Sequence, residues 1–113
     1  MFDANILGRL GKDPEMRYTP NGTAVLNFSI AHNWEYRGQN KFKWVKCTVW
    51  GDLAEEVNNE GFTKGQLVRV KGSITFSIWE KNDGTRVEEV ESRVSDIERV
   101  ELPATLLTVP RSE

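Results

Sequence analysis

A chain of 113 residues, 38% of them hydrophobic and 28% charged, has room for one globular domain with a single core. No apolar run approaches the roughly 20 residues that cross a bilayer, and no charged leader precedes a long apolar stretch, so we expect neither a membrane span nor a secretion signal. The net charge of −2 is a weak argument against a nucleic-acid partner.

The charges are distributed unevenly along the chain. Up to Trp79 there are 10 basic and 8 acidic residues, whereas from Glu80 onward there are 5 basic and 9 acidic residues. Positive charge therefore lies mostly in the front part, which also holds the 4 tryptophans. The single cysteine, Cys47, has no partner for an internal disulfide. That fits a reducing compartment, and we expect a cytoplasmic protein.

Alternating apolar and polar residues, interrupted by Gly, Pro, Asn and Asp, predict a β-rich domain. The first strand is predicted at Ala4–Leu10 and the second at Thr23–Ala31. The polar segment Arg37–Asn40 is predicted to be a long exposed loop, and a third strand follows at Phe42–Trp50.

A short helix is predicted next, beginning near Asp52. Asp52 can cap this helix, Glu55 completes a capping box, and Gly61 is a natural stop. A fourth strand is predicted at Leu67–Glu80, with Gly72 where a strongly bent strand would need a glycine.

The segment after the hairpin-turn signal Asn82-Asp83-Gly84 is ambiguous. A helix is favoured by the intervals of three, four and three residues between Val87, Val90, Val94 and Ile97. A strand is equally open, because the turn requires a partner for the fourth strand. Leu102–Glu113 is predicted to be a tail or an edge extension. A helix between the third and fourth strands of a five-strand domain predicts an all-β fold with one short helix, a small Greek-key barrel.

Strand parity assigns three of the four tryptophans to solvent. In the third strand Trp44, Lys46 and Trp50 lie opposite the core set Val45, Cys47 and Val49. In the fourth strand Arg69, Lys71 and Trp79 lie opposite the core set Val68, Val70, Ile74, Phe76 and Ile78.

Exposed indoles beside cations suit single-stranded nucleic acid. Leaving a large aromatic ring exposed forgoes about 1.5–3 kcal/mol of burial. An unpaired base stacks on such a ring for roughly 1–3 kcal/mol while Lys and Arg neutralise phosphates. A duplex hides its base faces, so we expect a preference for unpaired strands.

The segment from Trp34 to Trp44 adds aromatic side chains interleaved with Arg37, Lys41 and Lys43. Trp34 has the parity of the core, so it is exposed only if its strand outruns the barrel or a bulge resets the phase. Burial of the tryptophans in the core, or between subunits, remains the alternative interpretation.

The chain lacks the combinations of residues that a catalytic site requires. One histidine and one cysteine make no metal cluster, and His32 and Cys47 lie on different predicted strands without a third partner. We expect no catalytic site, no metal and no cofactor.

Three stretches carry a family resemblance: Gly8–Gly22 (GRLGKDPEMRYTPNG), Val49–Glu55 (VWGDLAE) and Lys64-Gly65. From Asn5 to Glu101 the chain resembles the bacterial-type single-stranded DNA-binding proteins (SSB), an OB-fold family. The resemblance implies an OB-fold domain over residues 1–102, with a strand after Gly84. It also implies DNA rather than RNA as the ligand.

The resemblance assigns roles to particular residues. It implies base stacking on Trp34, Trp44, Trp50 and Trp79, and phosphate contacts from Arg17, Lys46 and Lys64. It further implies a nucleoid-associated homo-oligomer, with a tetramer favoured over a dimer, that protects single strands in replication, recombination and repair.

Departures from the family pattern also carry expectations. Thr75, Ser77 and Ile78 are neutral where members commonly carry basic residues, and Asp52 stands where a lysine is frequent. Fewer cations predict a shallower dependence of affinity on salt. Residues 103–113 do not resemble the family's flexible tail with its acidic tip. The alternative is therefore a tail-less primosome-type, phage or plasmid accessory OB protein that acts mainly through protein partners.

Overall fold

The computed structural model describes residues 2–101, and within them the chain forms six β-strands and one α-helix. These are β1 (Phe2–Leu10), β2 (Glu15–Tyr18), β3 (Ala24–Tyr36), β4 (Gln39–Trp50), α1 (Gly51–Asn59), β5 (Leu67–Glu80) and β6 (Arg86–Arg99). The ambiguous segment after the turn is thus a strand. The predicted tail, residues 103–113, lies outside the described residues. No helix of residues 2–101 is long and apolar enough to cross a membrane.

The strands close into a barrel. The sheet order is β1-β5-β6-β4-β3-β2, and β1 also pairs with β3, which joins five of the strands in a ring. The β4–β6 pair is parallel and the other pairs are antiparallel. This confirms the predicted five-stranded OB-fold barrel. Strand β2, which was not predicted, extends the sheet beyond β3.

Inward-facing aliphatic side chains fill the barrel, and α1 packs Ala54 and Val57 against this core. The predicted capping box is wrong. The helix begins at Gly51, and no side chain caps its first turn. Asp52 lies within that turn, where a negative charge is favourable. Gly61 follows the helix with φ +73° and donates its N–H to Asn58 O at 3.2 Å, as the predicted stop requires.

Gly72, predicted to allow a strong bend, lies where β6 approaches β5 closely. The register between β5 and β6 shifts at Lys71/Gly72. A Cβ at Gly72 would lie 2.7 Å from Ser92 Oγ, so only glycine lets the two strands approach this closely.

Four strands continue beyond the barrel as two hairpin arms. The β3–β4 arm (residues 31–44) ends in a two-residue turn, with φ 50° at Arg37 and 76° at Gly38. The predicted long loop at Arg37–Asn40 is therefore wrong, because Gly38 lets the strands pair up to Tyr36 and Gln39.

The β5–β6 arm (residues 75–89) extends beyond the last pairing of β1 with β5, which is Phe2 with Ile74. Phe76 and Ile78 have the predicted core parity, yet they are 61% and 58% exposed. Their assignment to the core is wrong, and both positions lie beyond Ile74, where the pairing of β1 with β5 ends among the described residues.

Candidate nucleic-acid interface

The four tryptophans lie on the surface. Their exposed fractions are 44% for Trp34, 47% for Trp44, 38% for Trp50 and 46% for Trp79. Burial inside the barrel is therefore excluded for all four rings.

Trp44, Lys46 and Trp50 share the outer face of β4, as parity predicts. A Cβ built on Gly11 would lie 2.7 Å from Trp44 Cζ3, so the indole rests against the bare backbone there. Phe42 meets the Trp44 ring edge-on, with centroids 6.1 Å apart. The ring is thus held on its edges and back while nearly half of its surface remains open.

Arg17 is anchored near Trp50 by a chain of side-chain hydrogen bonds. Arg17 Nε donates to Asn27 Oδ1 at 3.0 Å, and Asn27 Nδ2 donates to Thr48 Oγ1 at 3.2 Å. The register aligns Arg17 with Val25 and Val25 with Trp50, so the guanidinium and the indole share one face. A cation is therefore held on the face that carries Trp50, two strands away from the ring.

Trp79 lies on the matching face of β5, toward the tip of its arm. Ser73 of β5 pairs with Arg93 of β6, and Trp79 is six residues further along β5. Trp79 and Ser73 are therefore about 20 Å apart along the strand. Trp44 and Trp50 are likewise six residues apart on β4, about 20 Å along the strand, so the three rings are spread over one face of the sheet rather than clustered.

Trp34 lies on the other face of the β3–β4 arm, because it keeps the parity of the core residues. It is exposed because the strand outruns the barrel, which is one of the two predicted conditions. His32 stacks on it with centroids 5.9 Å apart, and Lys41 is its cross-strand partner. Lys43 shares this face and donates from Nζ to Glu88 O at 3.2 Å, which links the two arms. The face that carries Trp34 therefore also carries Lys41 and Lys43, whereas on the Trp44 face the next cation along β4 is Lys46.

The other predicted basic residues are more dispersed. The Arg37 guanidinium lies 5.1 Å from the Tyr36 ring at the arm's turn. Arg69 Nη1 is 2.6 Å from Glu98 Oε1, on the part of β5 that pairs with β1. Lys71 is exposed beside the register shift, and the backbone N–H of Lys64 donates to Asp13 Oδ1 at 2.7 Å. Arg69 is not brought to the tryptophans.

Three charged residues of β6, none of them predicted as site residues, also lie on this surface. The Arg93 guanidinium lies 5.5 Å from the Trp50 ring, a cation–π contact. Glu89 Oε1 is 3.1 Å from Lys46 Nζ, and Glu91 is aligned with Lys46 in the register. The residue pattern after Gly84 did not distinguish a helix from a strand, so these side chains could not be assigned to a face.

Cys47 offers no reactive thiol. It is buried in the core, where desolvation raises its pKa to about 12. Among residues 2–101 no group of three or more His, Cys, Asp or Glu side chains is placed to hold a metal ion.

Known proteins share sequence similarity with most of this chain. The sequence profile described as "Single-strand binding protein family" matches residues 1–100. A "Single-stranded DNA-binding protein" of Halalkalibacterium halodurans is 38% identical over 99 residues, which cover 85% of this chain and 58% of that protein. "Single-stranded DNA-binding protein 3" of Listeria innocua is also 38% identical, over 85% of this chain and 61% of its own length.

A third relative, from Deinococcus radiodurans, is much longer than this chain. This "Single-stranded DNA-binding protein" is 40% identical over 98 residues, which cover 78% of this chain and 32% of that protein. The chain thus spans about three fifths of the first two relatives and a third of the last.

Proposed function

The chain belongs to the single-strand binding protein family, and from that premise we propose that it binds single-stranded DNA without sequence specificity. Bases stack on Trp34, Trp44, Trp50 and Trp79 while lysines and arginines contact phosphates. The observation that carries this proposal is the partial exposure of all four indoles, 38–47%, on strands that project from the barrel.

The arrangement on two faces suggests how a strand would run. Trp44 and Trp50 lie on the outer face of β4 and Trp34 on the opposite face of the same arm. A flexible single strand can pass around the arm and stack on both faces, whereas a stiff duplex cannot, and its bases are already stacked on each other. The surface therefore favours unpaired DNA.

We propose further that the protein is a binding protein rather than an enzyme, and that it coats single strands during replication, recombination and repair in the cytoplasm. We also propose that copies of the chain assemble, with a tetramer favoured over a dimer. The support for these roles is family membership. The mass in solution, measured with and without a long dT oligomer, tests the assembly.

The binding proposal is tested by fluorescence anisotropy with labelled DNA. The probe is a dT oligomer several times longer than the roughly 4–16 nucleotides that one OB fold covers. A duplex of the same length and an rU oligomer are the matched competitors. We expect tight binding to the dT oligomer, weaker competition by rU, and little by the duplex. Equal binding of duplex and single strand would refute the proposal.

A further inference from the structure

One ion pair lies in the middle of the proposed DNA surface. Lys46 Nζ is 3.1 Å from Glu89 Oε1, and the Glu89 side chain is only 23% exposed, compared with 58% for that of Lys46. The carboxylate is therefore held against the lysine, and part of its surface is shielded from water.

The same face carries a second carboxylate. Glu91 is aligned with Lys46 on β4 and with Thr75 on β5. In β6, alternation puts Glu89, Glu91 and Arg93 on the side that carries Trp44 and Trp50. A strand of DNA passing from β4 toward Trp79 must cross two negative charges.

The ion pair is accessible to a nucleotide. A cleft of about 220 Å³ opens between the two arms at this point, and its lining includes Phe42, Trp44, Lys46 and Glu89. A phosphate beside a base stacked on Trp44 would therefore approach Lys46 where Glu89 already contacts it.

We propose that Glu89 is an internal competitor of DNA phosphate for Lys46 and sets the affinity and salt dependence of binding, an inference that rests on the proposed function. When Lys46 turns to a phosphate, Glu89 is left as an unpaired carboxylate near that phosphate. It must then recruit a cation from solution, so the cation that DNA releases at this contact is taken up again. Lys46 consequently adds little to the salt dependence while Glu89 is charged.

The test measures the affinity for a dT oligomer by anisotropy over a series of salt concentrations. Glu89→Gln keeps the shape of the side chain and removes its charge. We expect binding at low salt to tighten roughly two- to fivefold. The slope of log K against log salt should become steeper by about 0.7, the value of one phosphate neutralised on a single strand.

The matched control is Glu60→Gln. It removes the same charge from another ion pair, since Glu60 Oε1 lies 3.8 Å from Arg99 Nη1 at the end of α1, away from the tryptophans. This variant reports any effect of net charge alone. Adding Lys46→Gln to Glu89→Gln should remove both the gain in affinity and the steeper slope.

The outcomes separate the inference from the function on which it rests. If wild-type protein fails to bind dT, the proposed function fails. If wild-type protein binds but Glu89→Gln matches Glu60→Gln in affinity and slope, only the inference is overturned. A specific loss of affinity for dC in Glu89→Gln would also overturn it, because Glu89 would then accept a hydrogen bond from a base. If Glu89→Gln does not fold, Glu91→Gln replaces it in the test. We expect Glu91→Gln to tighten binding by a smaller factor, and unchanged binding would overturn the inference.

Discussion

Four of the five barrel strands continue into the two arms, yet the same alternation of side chains leads to different burial in the two regions. Within the barrel, alternation decides burial, and Ile30 and Val70 are completely buried. In the arms the alternation continues. Ile78 and Trp34 have the same parity as these core residues, yet they are 58% and 44% exposed. The difference arises where β1 ends its pairing with β5 at Ile74 and with β3 at Ala31.

Parity therefore assigns a face, and only the neighbouring strand decides whether that face is covered. The barrel carries the stability of the domain. The arms carry Trp34, Trp44 and Trp79, three of the four rings of the proposed DNA contacts. The following predictions separate the two regions.

The largest expected effect is a difference in stability between two isoleucine variants, one in the barrel and one in an arm. Ile30→Ala in the barrel should lower the free energy of unfolding by about 2–5 kcal/mol, because it leaves a cavity in a close-packed core. Ile78→Ala in the β5–β6 arm should lower it by less than about 1 kcal/mol, since most of that side chain is already exposed. Urea denaturation followed by circular dichroism measures both. Equal losses would erase the distinction between barrel and arm.

The next effect concerns binding rather than stability. Trp44→Ala should weaken binding to a dT oligomer by roughly 1–3 kcal/mol, the value of one stacked base. Trp44→Phe should lose less, because a smaller aromatic face remains. Both variants should unfold at nearly the urea concentration of the wild type. A large loss of stability in Trp44→Ala would mean that the ring is structural.

A smaller effect is expected where the barrel supports the arm's ring. In Gly11→Ala the new methyl would lie 2.7 Å from Trp44 Cζ3 and 2.8 Å from Cη2, so the indole must shift. Affinity for dT should fall by less than in Trp44→Ala, with stability close to wild type because a half-exposed ring can move. Unchanged affinity would show that the position of Trp44 is not critical.

The smallest effect is an expected lack of reactivity in the closed core. With its pKa raised to about 12 by burial, the Cys47 thiol is almost wholly protonated at pH 8. A chromogenic disulfide reagent should therefore leave the folded protein unmodified for hours and label it rapidly in denaturant. Rapid labelling of the native protein would indicate an open barrel.

Much of the fold followed from alternation and turn residues. Strand β5 has the predicted bounds, Leu67–Glu80, and Gly72 lies at the register shift between β5 and β6. The end of β3 and the start of β4 did not follow, because an exposed polar strand and a loop have similar composition, and only the positive φ of Arg37 and Gly38 distinguishes a tight hairpin.

Strand β6 was hidden by its own irregularity. Val94 pairs with Gly72 and Asp96 with Lys71, so Ser95 is the extra residue of a bulge. The bulge changes the inward parity from Val94 to Ile97 and leaves a spacing of three that imitates a helix. Arg93 and Glu89 could not be placed on a face until this strand was recognised.

The candidate site was predicted in part from physics and in part from family resemblance. Alternation placed Trp44, Trp50 and Trp79 outward. Trp34 depended on the resemblance, because its exposure is a consequence of strand length that no local pattern encodes.

The central claim is that bases lie against the exposed indoles, and tryptophan fluorescence tests it most directly. Titration with a dT oligomer, with anisotropy recorded on the same samples, should show strong quenching that saturates together with binding. Trp44→Phe and Trp79→Phe should each remove a share of that quenching. Binding that saturates in anisotropy while the tryptophan emission stays unchanged would contradict the claim.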